Sequence, residues 1–329
     1  MIDPKISIIV PIHNEAPYLR QCLGSIQRQT YSNIEVLAID DGSTDESPKI
    51  LDSFSSDPRF VIRHQANQGL YPTLNWGLDH FTGSFFMVVN SDDYLGEDIV
   101  AKCIQLIQSQ NPDLIRFYRV DFSLGSEPQI PAVSSLPSGP FNFFKNPKEI
   151  DREKNESDDH ISCLYCDVCK LYSRELLGDA RYFTAAPCFC DIAFASLVCQ
   201  KATRMWRLPV YGYFRLTHED SLSSTGSLGK NTLPILRVCH QLFQFYDDKH
   251  YQADGIDING TYLASMQAYL LQSIPKKQFD RCFYRSEAHF LKRHLSYIVG
   301  PKNRIRRLKI RAELSFPKIF YHYLKRHQH

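Results

Sequence analysis

An α/β fold, with a mostly parallel sheet between layers of helix, is what this sequence predicts, and three observations carry the prediction. Short segments rich in β-branched and aromatic residues alternate with amphipathic stretches through the first third of the chain, the pattern of repeated strand–helix–strand units. Ser84 to Asp93 reads Ser-Phe-Phe-Met-Val-Val-Asn-Ser-Asp-Asp, and its unbroken apolar run is that of a strand buried on both faces in a parallel sheet. Its abrupt polar end then falls at the C-terminal edge of the sheet, where open α/β sheets bind ligands.

Taken in order, Lys5 to Pro11 is a strand of mainly β-branched residues, followed by His13, Asn14 and Glu15. Tyr18, Leu19, Cys22, Leu23 and Ile26 recur at spacings of three and four and predict a helix over residues 16–29. Ile34 to Ile39 is a second strand running into Asp40-Asp41-Gly42-Ser43-Thr44-Asp45, where Gly42 permits a tight turn and Ser43, Thr44 or Asp45 can cap a helix. Phe60 to His64 is a short third strand, and Asn67-Gln68-Gly69 turns into a helix over residues 70–81. Beyond the central strand come a helix over 98–110 and a strand from Leu114 to Phe122. Residues 123–160, rich in Pro, Ser, Gly and Asn, read as an irregular insertion. A strand over Ile161 to Tyr172, a helix over 190–199 and a strand from Arg207 to Arg215 follow, then a polar loop from His218 to Asn231. The remainder reads as helices over 233–246, 261–274, 277–297 and 304–329, giving a first domain over 1–230 and a helical region over 231–329.

The chain has 329 residues, 43% hydrophobic and 22% charged, a composition that excludes wholesale disorder. Its net charge of +2 hides an asymmetry: residues 301–329 hold nine Lys or Arg against the single acid Glu313. No export signal and no apolar run of about 18 residues is visible, so the ten cysteines are expected as reduced thiols in a cytoplasmic protein. The spacing Cys163-x-x-Cys166-x-x-Cys169 invites a zinc or iron–sulfur reading, but in a strand it would put successive cysteines on opposite faces.

Two adjacent carboxylates repel, so keeping Asp92 and Asp93 ionised at a strand tip favours a divalent cation with oxygen ligands. The alternative is a plain turn and helix cap, since Asn, Ser and Asp favour both. Six stretches occur in order over residues 5–225: Val10-Pro11-Ile12-His13-Asn14-Glu15, Asp40-Asp41-Gly42-Ser43-Thr44-Asp45, Asn67-Gln68-Gly69 with Asn75-Trp76-Gly77, Asn90-Ser91-Asp92-Asp93, Cys169-Lys170-Leu171-Tyr172, and Cys190-Asp191. In these the chain resembles the family 2 inverting glycosyltransferases of the GT-A fold.

That resemblance implies a nucleotide-sugar site. Pro11, His13 and Glu15 would frame the nucleotide, Asp41 would meet the base, and Asn67 and Gly69 belong to the same binding surface. Asn90, Ser91 and Asp92 would serve the ribose and diphosphate, with Asp92, Asp93 and His218 on a Mn²⁺ or Mg²⁺ ion. The family usually has an acid where Asn90 stands; an amide still offers an oxygen but no charge. Asp191 would be the base, the alternative being a helix cap. Arg215, His218 and Ser221 resemble a segment that closes over the pyrophosphate, unless this is a solvated loop.

The chemistry is consistent with that assignment. A nucleoside-diphosphate sugar presents several negative charges, and its leaving diphosphate needs a counter-charge. An inverting displacement also needs a base to take the acceptor's proton. An Asp can accept from a uracil N–H, which suits a UDP-sugar and leaves thymine and guanine open. The acceptor is expected to be a glycan or lipid-linked oligosaccharide of a cell-surface polysaccharide. The basic tail, interleaved with Ile305, Leu308, Phe316 and Tyr321, suits a helix lying on anionic lipid ahead of a plain solvated helix or nucleic acid binding. Peripheral attachment to the inner face of the cell membrane is therefore expected. A non-catalytic nucleotide-sugar-binding protein is the rival reading.

Overall fold

The structure is a computed structural model, and it describes residues 3–133, 136, 138–141, 166–184 and 190–218, together with positions 238, 241 and 289. Ser221, the strand expected before residue 166 and the four helices expected after residue 232 fall outside these residues, save for the three single positions. The chain divides into two compact units, residues 1–224 and 225–329; the elements below belong to the first.

Four strands form a parallel block in the order β3–β2–β1–β4: Phe60–Gln65, Ile34–Asp41, Ile6–Ile12 and Phe85–Val88. Every residue of β1, β2 and β4 is buried, which is why these strands read as continuous apolar runs. Helices α1 (Ala16–Gln27), α2 (Ser47–Asp52) and α3 (Leu70–His80) make the crossovers. Gly77 lets α3 lie close on β1, because a Cβ there would meet the Ile9 Cγ2 atom at 2.6 Å. Buried Glu35 on β2 accepts from Ser7 and Thr82 and pairs with Lys5 at 2.8 Å, so its charge is met where it is buried.

Beyond β4 the sheet changes character. After β5 (Tyr94–Leu95) and α4 (Ile99–Gln110) comes β6 (Leu114–Ser123), which does not pair with β4. A strand from much later in the chain, β8 (Lys170–Ser173), lies between them and runs antiparallel to both. The chain continues through α5 (Arg174–Leu177) and α6 (Cys190–Lys201) to β9 (Met205–Thr217), which is parallel to β6 and antiparallel to β5.

Two sequence expectations are corrected. The strand expected to continue to Tyr172 from upstream begins only at Lys170, because Cys169 adopts a left-handed φ of 61° and Lys170 Nζ turns back onto the Cys166 carbonyl. The stretch expected to be irregular contains β7 (Gly139–Phe141), paired antiparallel with β9.

Candidate active site

In the parallel block the strand order reverses between β1 and β4, so the crevice beyond their C-terminal ends is where this architecture binds ligands. The loops after β1 and β2 are laced together there. Asn14, at φ 57°, donates from its backbone N to Ser43 Oγ and accepts from Thr44 N at 2.8 Å. Asp45 accepts from Ala16 N at the start of α1, and Glu15 N donates to Ser47 Oγ. His13 Nδ1 lies 2.9 Å from the Asp41 carbonyl, while its Nε2 sits 3.2 Å from the amide nitrogens of Asn14 and Asn67. Pro11 is buried in β1 beneath this surface.

Asp41 itself is only 3% exposed. Its carboxylate accepts from Gln65 Nε2 at 2.9 Å and from the backbone N of Gln68 and Gly69 at 2.9 and 2.8 Å. It thereby folds the 67–69 turn onto β2. Gly69, at φ 97°, starts α3 from that turn, and Gly42 permits the approach because a Cβ there would meet Asn67 N at 2.7 Å. Three of a carboxylate's roughly four acceptor positions are thus spent on the protein.

The acidic tip of β4 divides its two carboxylates. Asp93 turns inward: it is 2% exposed and accepts from Tyr213 Oη at 2.6 Å, Leu216 N at 2.9 Å and Asn90 Nδ2 at 3.3 Å. Burial first, then the Asp92 charge, push its carboxyl up to about 8. Asp92 instead meets the end of β9, where His218 Nε2 lies 3.3 Å from its Oδ2. Burial raises the Asp92 carboxyl above the usual range, against the pull of His218 and of nearby Arg215. Of the three expected metal ligands, therefore, Asp92 and His218 come together and Asp93 does not join them. Asp93 braces Asn90 and the end of β9 through its buried donors.

Tyr213 is the residue sequence reasoning missed. Its hydroxyl donates to Asp93 and accepts from Asn90 N at 3.2 Å, tying β9 to the tip of β4. Nothing in the strand's pattern distinguishes it from a core tyrosine. Ser91 is buried at 6% exposure. The guanidinium of Arg215 lies 3.5 Å from Asp121 on the neighbouring strand. Tyr18 on α1 supports the imidazole of His218, ring centroids 4.6 Å apart.

The Asp92–His218 pair suits a divalent ion: one carboxylate and one imidazole leave most of the coordination sphere to diphosphate oxygens and water, as Mg²⁺ and Mn²⁺ sites on nucleotides do. The buried His218 Nδ1 has no hydrogen-bond partner among the described residues. Among the described residues there is no cluster of three or more side chains able to hold a metal ion.

Asp191 occupies the first turn of α6, where the helix N-terminus favours an anion. Its Oδ1 accepts from the Tyr71 hydroxyl at 3.2 Å. Tyr71 is in the first turn of α3, which starts at the same sheet edge as the tips of β2 and β4. Asp41, Asp92 and Asp191 thus all belong to that edge.

The family model described as glycosyl transferase family 2 matches residues 7–180, more than half of the chain. This chain belongs to glycosyl transferase family 2. Among curated relatives, the glycosyltransferase GlyA of Streptococcus pneumoniae is 41% identical over 115 residues, which is 35% of the chain and 16% of GlyA. GlyG of the same organism is 38% identical over 125 residues, 37% of the chain and 42% of GlyG. The chain thus spans less than half the length of either relative. In overall fold the chain matches Staphylococcus aureus TarS 1-349, solved with UDP-GlcNAc, at a TM-score of 0.66 and 17% identity over 96% of this chain and 88% of that one. The likeness establishes a GT-A architecture.

Proposed function

We propose that this glycosyltransferase moves one sugar, with inversion, from a UDP-sugar to a hydroxyl of a glycan or lipid-linked oligosaccharide in cell-surface polysaccharide synthesis. The observation that carries the reading is the assembly of Asp92 with His218, and of Asp191 with Tyr71, along the single sheet edge where α/β folds bind ligands. Asp92 and His218 would hold Mn²⁺ or Mg²⁺, which supplies charge neutralisation for the leaving diphosphate. Asp191 takes the proton of the acceptor hydroxyl as its oxygen attacks the anomeric carbon. The bond from that carbon to the phosphate oxygen breaks, and its electron pair leaves with the diphosphate.

His13, Glu15 and Asn67 line the nucleotide's approach. Asp41 keeps one acceptor position for a base N–H, and Arg215 and Ser221 serve the diphosphate. UDP as the carrier is supported by the UDP-GlcNAc bound in the structurally similar TarS. Among the described residues no helix is long and apolar enough to cross a membrane, and the proposed attachment to the inner face of the cell membrane rests on the basic residues 301–329.

Replacing Asp191 by Asn decides between this reading and a non-catalytic nucleotide-sugar-binding protein. Turnover in a panel of UDP-, GDP- and dTDP-sugars should fall about 10²–10⁴-fold while UDP binding persists. Undiminished turnover would discard the base, and no turnover from the parent protein with any donor would favour the binding protein.

A further inference from the structure

We propose that Tyr71 is a positioning residue that holds the Asp191 carboxylate ionised and in one orientation for proton abstraction. The proposal rests on the reading of Asp191 as the base. Tyr71 is 3% exposed, and its hydroxyl stands between the two residues that open α6. It accepts from Cys190 N at 3.1 Å and donates to Asp191 Oδ1 at 3.2 Å. With one N–H committed to its lone pair, the phenol has its proton left for the carboxylate. Burial, then the charge of Asp191, drive the phenol's ionisation far above its ordinary value, so it remains a donor at any working pH.

The ring is fixed as firmly as the hydroxyl. Tyr71 stacks on Tyr182 at 5.7 Å between centroids, and Tyr182 stacks in turn on Phe194 of α6 at 3.9 Å. Asn75, one turn along α3 from Tyr71, exchanges two hydrogen bonds with the backbone of Tyr182, at 2.7 and 2.9 Å. The Tyr182 hydroxyl is anchored on buried Asp167. Tyr71 and Phe194 thus grip one ring from two helices, which fixes the first turn of α6 against the first turn of α3. The charge of Asp191 is felt by Tyr71 of α3 and by Tyr182, whose hydroxyl is bound to Asp167, and Tyr71 also feels Cys190 and Asp167. Tyr71 donates directly to Asp191, and a donor to an ionised carboxylate favours the charged form.

The test compares Tyr71→Phe with a protein carrying 3-fluorotyrosine at position 71. The substrate is the nucleotide sugar that the parent hydrolyses fastest in the donor panel. Phenylalanine keeps the stack and removes the donor, so the acidic limb of the kcat/KM profile should move up by about one pH unit. Fluorotyrosine is a stronger donor and should move the limb down, an arm that survives even if the phenylalanine variant fails to fold. Adding Tyr71→Phe to Asp191→Asn should cost nothing further, because the tyrosine acts through the carboxylate. A limb that stays in place in every folded variant, with rate lost equally at all pH values, would make Tyr71 merely structural and overturn the proposal. Full turnover by Asp191→Asn alone would instead bring down the base assignment on which it rests.

Discussion

The two acidic doublets of this protein are nearly alike as sequence and unlike as chemistry. Asp40–Asp41 ends β2 and Asp92–Asp93 follows β4, two strands that flank β1. In the first doublet both carboxylates are used to build the protein: Asp40 accepts from Ser43 N and meets His64 Nδ1 at 2.9 Å, and Asp41 gathers three donors. In the second only Asp93 is so used, and Asp92 is left toward a histidine at the sheet's switch point. The number of donors the fold brings to each acid thus sets how much of it is left for a ligand: one acceptor position on Asp41, and more on Asp92.

The sharpest way to break that contrast is Asp92→Asn. It removes a charge from the diphosphate side while relieving repulsion with Asp93, so turnover should fall about 10²–10³-fold with an equal or higher melting temperature. Mn²⁺ or Mg²⁺ should then no longer raise the melting temperature in the presence of UDP. Full activity in this variant would abolish the distinction between the doublets.

Asp41→Ala probes the opposite side. It leaves Gln65 and two turn N–H groups without their acceptor in a buried setting, a loss of about 2–3 kcal/mol. Thermal unfolding without nucleotide should show this as a lowered Tm. A variant as stable as its parent would show that the 67–69 turn is held by something else.

Much of this arrangement was legible in the chain, and the limits have physical causes. The parallel block could be read because β1, β2 and β4 are buried on both faces, which leaves an unbroken apolar run. The placement of β8 between β4 and β6 could not, because pairing between strands some 80 residues apart leaves no local signal. Within the site, the acids could be found by their clustering at strand ends. Which acid faces inward could not, since that depends on Tyr213 and Leu216, supplied by β9 more than 100 residues later. Tyr71 shows the same limit: it reads as a core aromatic in a helix, and its value comes from the helix it meets. Motifs record the groups that do chemistry more faithfully than the groups that aim them.

The first doublet can be sharpened by its pH dependence. His64 bridges Asp40 and Asp52, at 2.9 and 3.1 Å, and its ionisation is raised, chiefly by the hydrogen bond to Asp40. A histidine whose folded value lies above its unfolded one adds stability that is fully present below about pH 6.5 and lost as pH rises through the folded value. The imidazole is 42% exposed, so solvent screening limits the gain to about 0.5 kcal/mol. His64→Gln should therefore lie further below the parent in melting temperature at pH 5.5 than at pH 8.5, with turnover at the higher pH unchanged. An equal gap at both values would mean that His64 acts only as a neutral hydrogen-bonding group, and that the first doublet draws its stability from neutral donors alone.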